Sequence, residues 1–138
     1  MIQVTVLRLG FDQDLEQAVV VLADLSKTTY IPIWIRAPEA TSIAIPLEGL
    51  TPPRPLTADL FVAAMDGLGA SVTMMVVDEV KDDIFHAKLV LRHGERDVEL
   101  DCRPSDALAI ALRKGAPIYV AEKVMAESGV SASEATLQ

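Results

Sequence analysis

Residues 84–102 repeat with a period of two. In "IFHAKLVLR", Phe85, Ala87, Leu89 and Leu91 fall on one face and His86 and Lys88 on the other. In "RDVELDC", Val98, Leu100 and Cys102 alternate with Asp97, Glu99 and Asp101. That alternation is the side-chain repeat of an extended strand, and the turn signal "HGE" between the two runs fits a hairpin. The preceding "SVTMMVVDEV", closed by "KDD", reads as a strand of the same group. A helix pattern follows at once in "RPSDALAIALRKG", with Pro104 at its first position and Arg113, Lys114 and Gly115 at its end.

The N-terminal part reads in the same way. "IQVTVLRL", "EQAVVVLADL" and "TTYIPIWI" are short β-branched runs, and the polar "GFDQD" between the first two fits a hairpin. In "APEATSIAIPLEGL", Ala40, Ile43, Ala44 and Leu47 stand at i, i+3, i+4 and i+7, the stripe of an amphipathic helix. Pro38 and Glu39 fit its start and Gly49 its end. Pro46 removes a hydrogen bond within it and predicts a kink or an early stop. "TPPRPLTADL" is a turn into a second helix, with Thr57 as N-cap and Asp59 at the positive end. Leu56 and Phe61 make a hydrophobic staple, and Phe61, Ala64, Met65 and Leu68 make the buried face. "PIYV" reads as a short strand and "AEKVMAES" as a last helix.

The order β-β-β-α-α-β-β-β-α-β-α predicts a single α+β domain. Its mixed, mainly antiparallel sheet of about seven strands packs against three to four segregated helices. The domain is expected over residues 1–127, with 128–138 a flexible tail. The 138 residues suit one core, built mostly from aliphatic side chains because aromatics are only 4%.

Several function classes drop out. The one cysteine, Cys102, excludes an intrachain disulfide, and it reads as a small core residue rather than a nucleophile. No basic leader precedes a long apolar run, and no run reaches the ~18 apolar residues of a membrane span. The expectation is a cytoplasmic protein with no membrane contact. Net charge is −8, from 12 basic and 20 acidic residues, a poor footprint for non-specific nucleic-acid binding. His86 and His93 have no neighbouring histidine, so a zinc motif is not indicated. Trp34, set between isoleucines, reads as a core residue or a subunit-interface anchor.

Four segments together resemble a known family. They are Pro-Ile-Trp-Ile at 32–35, Glu39-Ala40, Pro-Arg-Pro-Leu-Thr at 53–57, and Arg-Pro-Ser-Asp-Ala at 103–107. In this order they resemble the bifunctional nuclease domain family of bacteria and plants. The resemblance covers roughly residues 1–127 and implies hydrolysis of both DNA and RNA. Arg36 stands where the family often has Gly, and Pro46 departs from a helix-compatible position.

The polar residues of these segments are the candidate site. Phosphodiester hydrolysis needs an attacking water and stabilisation of charge at phosphorus. Mg²⁺ or Mn²⁺ held by carboxylates supplies both in metal-dependent enzymes, and arginine clamps phosphate oxygens. Glu39, Asp101, Arg103 and Asp106 are the expected catalytic residues, with Arg54 and Ser105 binding substrate. Glu99, Asp101 and Asp106 are the expected metal ligands, since Glu99 and Asp101 point the same way from one strand and Asp106 opens the next helix. The plainer reading stays open: Asp106 caps a helix, Glu99 and Asp101 form a solvated face, and Arg54 and Arg103 pair with Glu39, Glu48, Asp59 or Asp106.

Two functions follow. One is a nuclease acting on a DNA or RNA substrate. The other is a non-catalytic, homo-oligomeric module that binds a small anion or a protein partner, with the helix starts at 38 and 104 as anion sites.

Overall fold

The computed structural model describes residues 1–135. The elements in chain order are β1 (Ile2–Asp12), β2 (Gln17–Asp24), β3 (Thr29–Arg36), α1 (Ala37–Leu47), α2 (Thr57–Gly67), β4 (Ala70–Lys81), β5 (Ile84–His93) and β6 (Arg96–Cys102). Then come α3 (Pro104–Lys114), β7 (Ile118–Val120), α4 (Glu122–Ser128), β8 (Val130–Ser131) and the one-turn α5 (Ala132–Ala135). The expected order holds from β1 to α4.

The strands form one eight-stranded sheet in the order β6-β5-β4-β7-β1-β2-β3-β8. That is one strand more than the seven expected. Two antiparallel groups, β6-β5-β4 and β1-β2-β3, are joined by β7, which pairs antiparallel with β1 and parallel with β4. Parallel pairing needs a crossover, and α3 supplies it between β6 and β7. In the stretch expected as a tail, 128–138, β8 pairs with β3 through Thr29–Ser131 and Tyr30–Val130, and α5 follows. Positions 136–138 lie outside the described residues.

One face of the sheet and the helices share a core. Val20, Leu22, Ile31, Ile33, Met75, Val77, Ala87 and Leu89 meet Ile43 of α1, Met65 of α2, Leu108 of α3 and Val124 of α4. Each such aliphatic side chain contributes about 1.5–3 kcal/mol when fully buried. The alternation in β5 and β6 holds, with Ala87, Leu89 and Leu91 in the core and Val98, Leu100 and Cys102 packed against it.

Three local expectations are corrected. Leu56, not Thr57, is the residue before α2, so Thr57 is its first helical residue and caps nothing. The buried face of α2 is Ala58, Phe61, Val62 and Met65, while Ala64 and Leu68 face solvent. Leu68 is 76% exposed. Both faces fit a 3.6-residue repeat, so periodicity alone did not choose between them. Pro46 is the penultimate residue of α1, which ends one residue later at Leu47. Trp34 is 60% exposed on β3, on the face opposite Ile33, and is not a core residue of this chain.

Candidate functional site

Two strands run into helices without a loop. Arg36 links β3 to α1 and Arg103 links β6 to α3, each in extended backbone geometry. A proline sits in the first turn of each helix, which pre-sets its φ and removes a donor that would have no partner there. No side chain caps the start of α1, α2 or α3.

These three starts converge. Arg103 Nη1 donates to Glu39 Oε1 at 3.0 Å, joining α3 to α1. The strands feeding them lie far apart in the sheet, and a twist of roughly 20–25° per strand is the physical means of turning such ends toward each other. The start of α2 packs alongside, and the three helices enclose a cleft of about 780 Å³ over the middle of β5 and the end of β6. Leu56, Ala58, Phe61, Leu89, Leu100 and Ile110 make most of its wall apolar. Glu39, Thr57, Asp101, Arg103, Ser105 and Asp106 supply its polar groups.

Arg103 is the electrostatic centre. Its Nε and Nη2 donate to Asp106 Oδ2 at 2.8 Å and Oδ1 at 2.9 Å, a bidentate pair. Asp106 first, and then Glu39, hold the guanidinium protonated more firmly than in an ordinary arginine. Its side chain is 62% exposed, so each pair stabilises the fold by only ~0–1 kcal/mol. Three of the five donors of a guanidinium are engaged, leaving two for a ligand. Glu39 Oε2 is buried and has no hydrogen-bond partner among the described residues. Ser105 is 5% exposed, lines the cleft, and its hydroxyl likewise bonds no described residue.

The other expected residues are placed differently. Asp101 reaches the cleft rim, and its carboxylate accepts from Lys88 Nζ at 3.3 Å. That bond, with Asp101 its main cause, keeps Lys88 protonated beyond the usual lysine range. Glu99 is exposed on β6 and does not line the cleft. Among the described residues, no three His, Cys, Asp or Glu side chains are grouped to hold a metal ion. Glu99, Asp101 and Asp106 therefore do not form the ligand set expected of them. Arg54 is exposed outside the cleft and makes no hydrogen bond or ion pair with a described residue. Glu48 ends α1, far along the helix from its start. Asp59 binds Arg113 at 2.7 Å and accepts from the Leu56 N–H at 2.8 Å. Cys102 lies half-buried at the cleft, its thiol pushed up to about 11 by burial first and by Asp106 and Asp101 next.

Arg113 was read only as a helix-end charge. Its side chain is 7% exposed, and it donates to Asp59, to the Ser42 carbonyl and to the Ala109 carbonyl of its own helix. It thus ties α1, α2 and α3 together behind the cleft. The signal was its spacing: seven residues after Asp106, it stands on the same helix face.

The family model for the bifunctional nuclease domain matches residues 20–133, which include every polar residue of the cleft. A protein of Mycobacterium tuberculosis described as uncharacterised is 38% identical over 128 residues, covering 93% of this chain and 76% of its own length. Bifunctional nuclease 1 of Oryza sativa subsp. japonica and the bifunctional nuclease of Oryza minuta are each 25% identical over 134 residues. Those matches cover 95% of this chain but 40% of each rice protein. By this match over most of its length, the chain belongs to the bifunctional nuclease domain family.

Proposed function

We propose that the chain is a phosphodiesterase that hydrolyses DNA and RNA strands at the cleft between α1, α2 and α3. The observation that carries this reading is the convergence of three uncapped helix starts, Arg103 and the Glu39 carboxylate on one cleft. Helix N-termini attract phosphate through unused N–H groups and the helix dipole. The names of the rice relatives point to the same chemistry.

In this reading the Glu39 carboxylate accepts a proton from water as the water oxygen bonds to phosphorus. N–H groups at the helix starts and the two free donors of Arg103 hold the phosphoryl oxygens as their charge grows. The P–O bond to the leaving oxygen then breaks, and that oxygen is protonated from solvent. No step is routed through a metal, and the assay itself varies the ion.

The test is cleavage of single-stranded DNA, duplex DNA and RNA in Mg²⁺, Mn²⁺ or EDTA. Wild type runs beside Glu39→Gln and Asp106→Asn, each purified identically and checked for folding by circular dichroism. Loss of a general base predicts a drop in kcat of at least ~10²-fold in Glu39→Gln. Equal cleavage by wild type and Glu39→Gln removes Glu39 from the mechanism. No cleavage by wild type in any buffer favours the anion- or protein-binding module, a reading suited to an Arg103 already held by two carboxylates.

A further inference from the structure

The cleft has more apolar wall than a phosphate needs, and one hydroxyl that bonds no described residue. Phosphate chemistry occupies only the helix starts and Arg103. The lining also includes Leu56, Leu89, Leu100 and Ile110, with Phe61 as its one aromatic side chain. Ser105, 5% exposed and without a hydrogen-bond partner among the described residues, borders that apolar part. A hydroxyl that lines a cleft without a protein partner is free to bond a ligand there.

We propose that the cleft is a nucleotide pocket, in which one unpaired base enters the apolar part against Phe61, Ser105 hydrogen-bonds its edge, and its phosphate lies at the helix starts. The choice of ligand rests on the nucleic-acid reading above. A volume of about 780 Å³ accommodates a single nucleotide. A base inside a duplex is out of reach of such a pocket until it is unpaired and unstacked, at an added energetic cost. Single strands are therefore the preferred substrate class. A hydroxyl both donates and accepts, so Ser105 can pair with any base edge, and stacking on an aromatic ring is tolerant of sequence. The pocket then holds purines and pyrimidines alike.

Binding is the deciding measurement, because it does not depend on cleavage. Isothermal titration compares AMP, UMP, adenosine and inorganic phosphate on wild type, Phe61→Leu and Ser105→Ala, with melting temperatures confirming that each variant folds. AMP and UMP should bind more tightly than either adenosine or phosphate. Phe61→Leu should weaken nucleotide binding about tenfold or more and leave phosphate binding unchanged. Ser105→Ala should weaken nucleotides in the same direction, which keeps the test open if the Phe61 variant fails to fold. Nucleotides binding no tighter than phosphate, or unaffected by both substitutions, overturn the pocket. If strands are cut while nucleotides bind no better than phosphate, the pocket fails and the nuclease reading survives. If nucleotides bind as described and no strand is cut, the pocket stands and the nuclease reading falls.

Discussion

Arg103 and Cys102 are neighbours in the chain with opposite electrostatic fates. Arg103 faces outward between Glu39 and Asp106, where its charge is favoured. Cys102 points inward, its Sγ 3.8 Å from the Ala87 carbonyl, where burial and two nearby carboxylates disfavour a thiolate. The thiolate is the nucleophile, so a thiol pushed up to about 11 is inert near neutrality. Alkylation by iodoacetamide at pH 8.5 should run on the order of a hundredfold slower than for free cysteine. Mass spectrometry of the labelling rate against pH checks this, and half-maximal labelling near pH 8.5 would contradict it. Much at this scale was readable beforehand. Alternation with Val98 and Leu100 placed Cys102 inward, and the motif residues Glu39, Arg103, Ser105 and Asp106 do meet at one cleft. Arg54, from the same motif group, lies exposed outside that cleft.

Among the elements, α2 is held at its start by polar groups rather than by a cap of its own. Asp59 accepts from the Leu56 N–H and from Arg113, and the Arg113 bond is the larger cause of its lowered pKa. A carboxyl depressed by folding contributes stability above its unfolded value near ~4, and that contribution is lost as pH falls through the folded value. Asp59→Asn should therefore lower Tm at pH 7 and flatten the fall of Tm below about pH 4. An acid limb as steep as in wild type would show that another group controls it. Arg113→Ala leaves Asp59 and the Ser42 carbonyl without their partner in a nearly buried place, and should cost ~3–5 kcal/mol by urea unfolding. The lock was hidden in the sequence because its three ends come from residues 42, 59 and 113. Periodicity sees one helix at a time, and it also could not say which of two apolar stripes of α2 turns inward.

For the whole molecule, topology puts the cleft where the chain's two halves meet. β3 delivers α1 from one antiparallel group and β6 delivers α3 from the other, with β7 as the strand between. The element order was legible from alternation and turn signals, but β7's place was not, since three residues of "IYV" carry no register. The same scale decides how substrate arrives. Net charge is −8, so the long-range field repels a polyanion even though the helix starts attract phosphate at close range. Basic nucleic-acid binders lose affinity steeply with salt because they release counterions. Here added salt mainly screens repulsion, with a Debye length falling from about 30 Å at 0.01 M to about 8 Å at 0.15 M. The contacts inside the cleft are shorter than either length and are screened much less. The kcat/KM for a short single-stranded oligonucleotide should therefore rise or stay level as NaCl goes from about 10 to about 150 mM at a fixed divalent-ion concentration. A steep fall, with a slope matching several phosphate contacts, would mean that a basic surface elsewhere recruits the strand and that the cleft is not where binding begins.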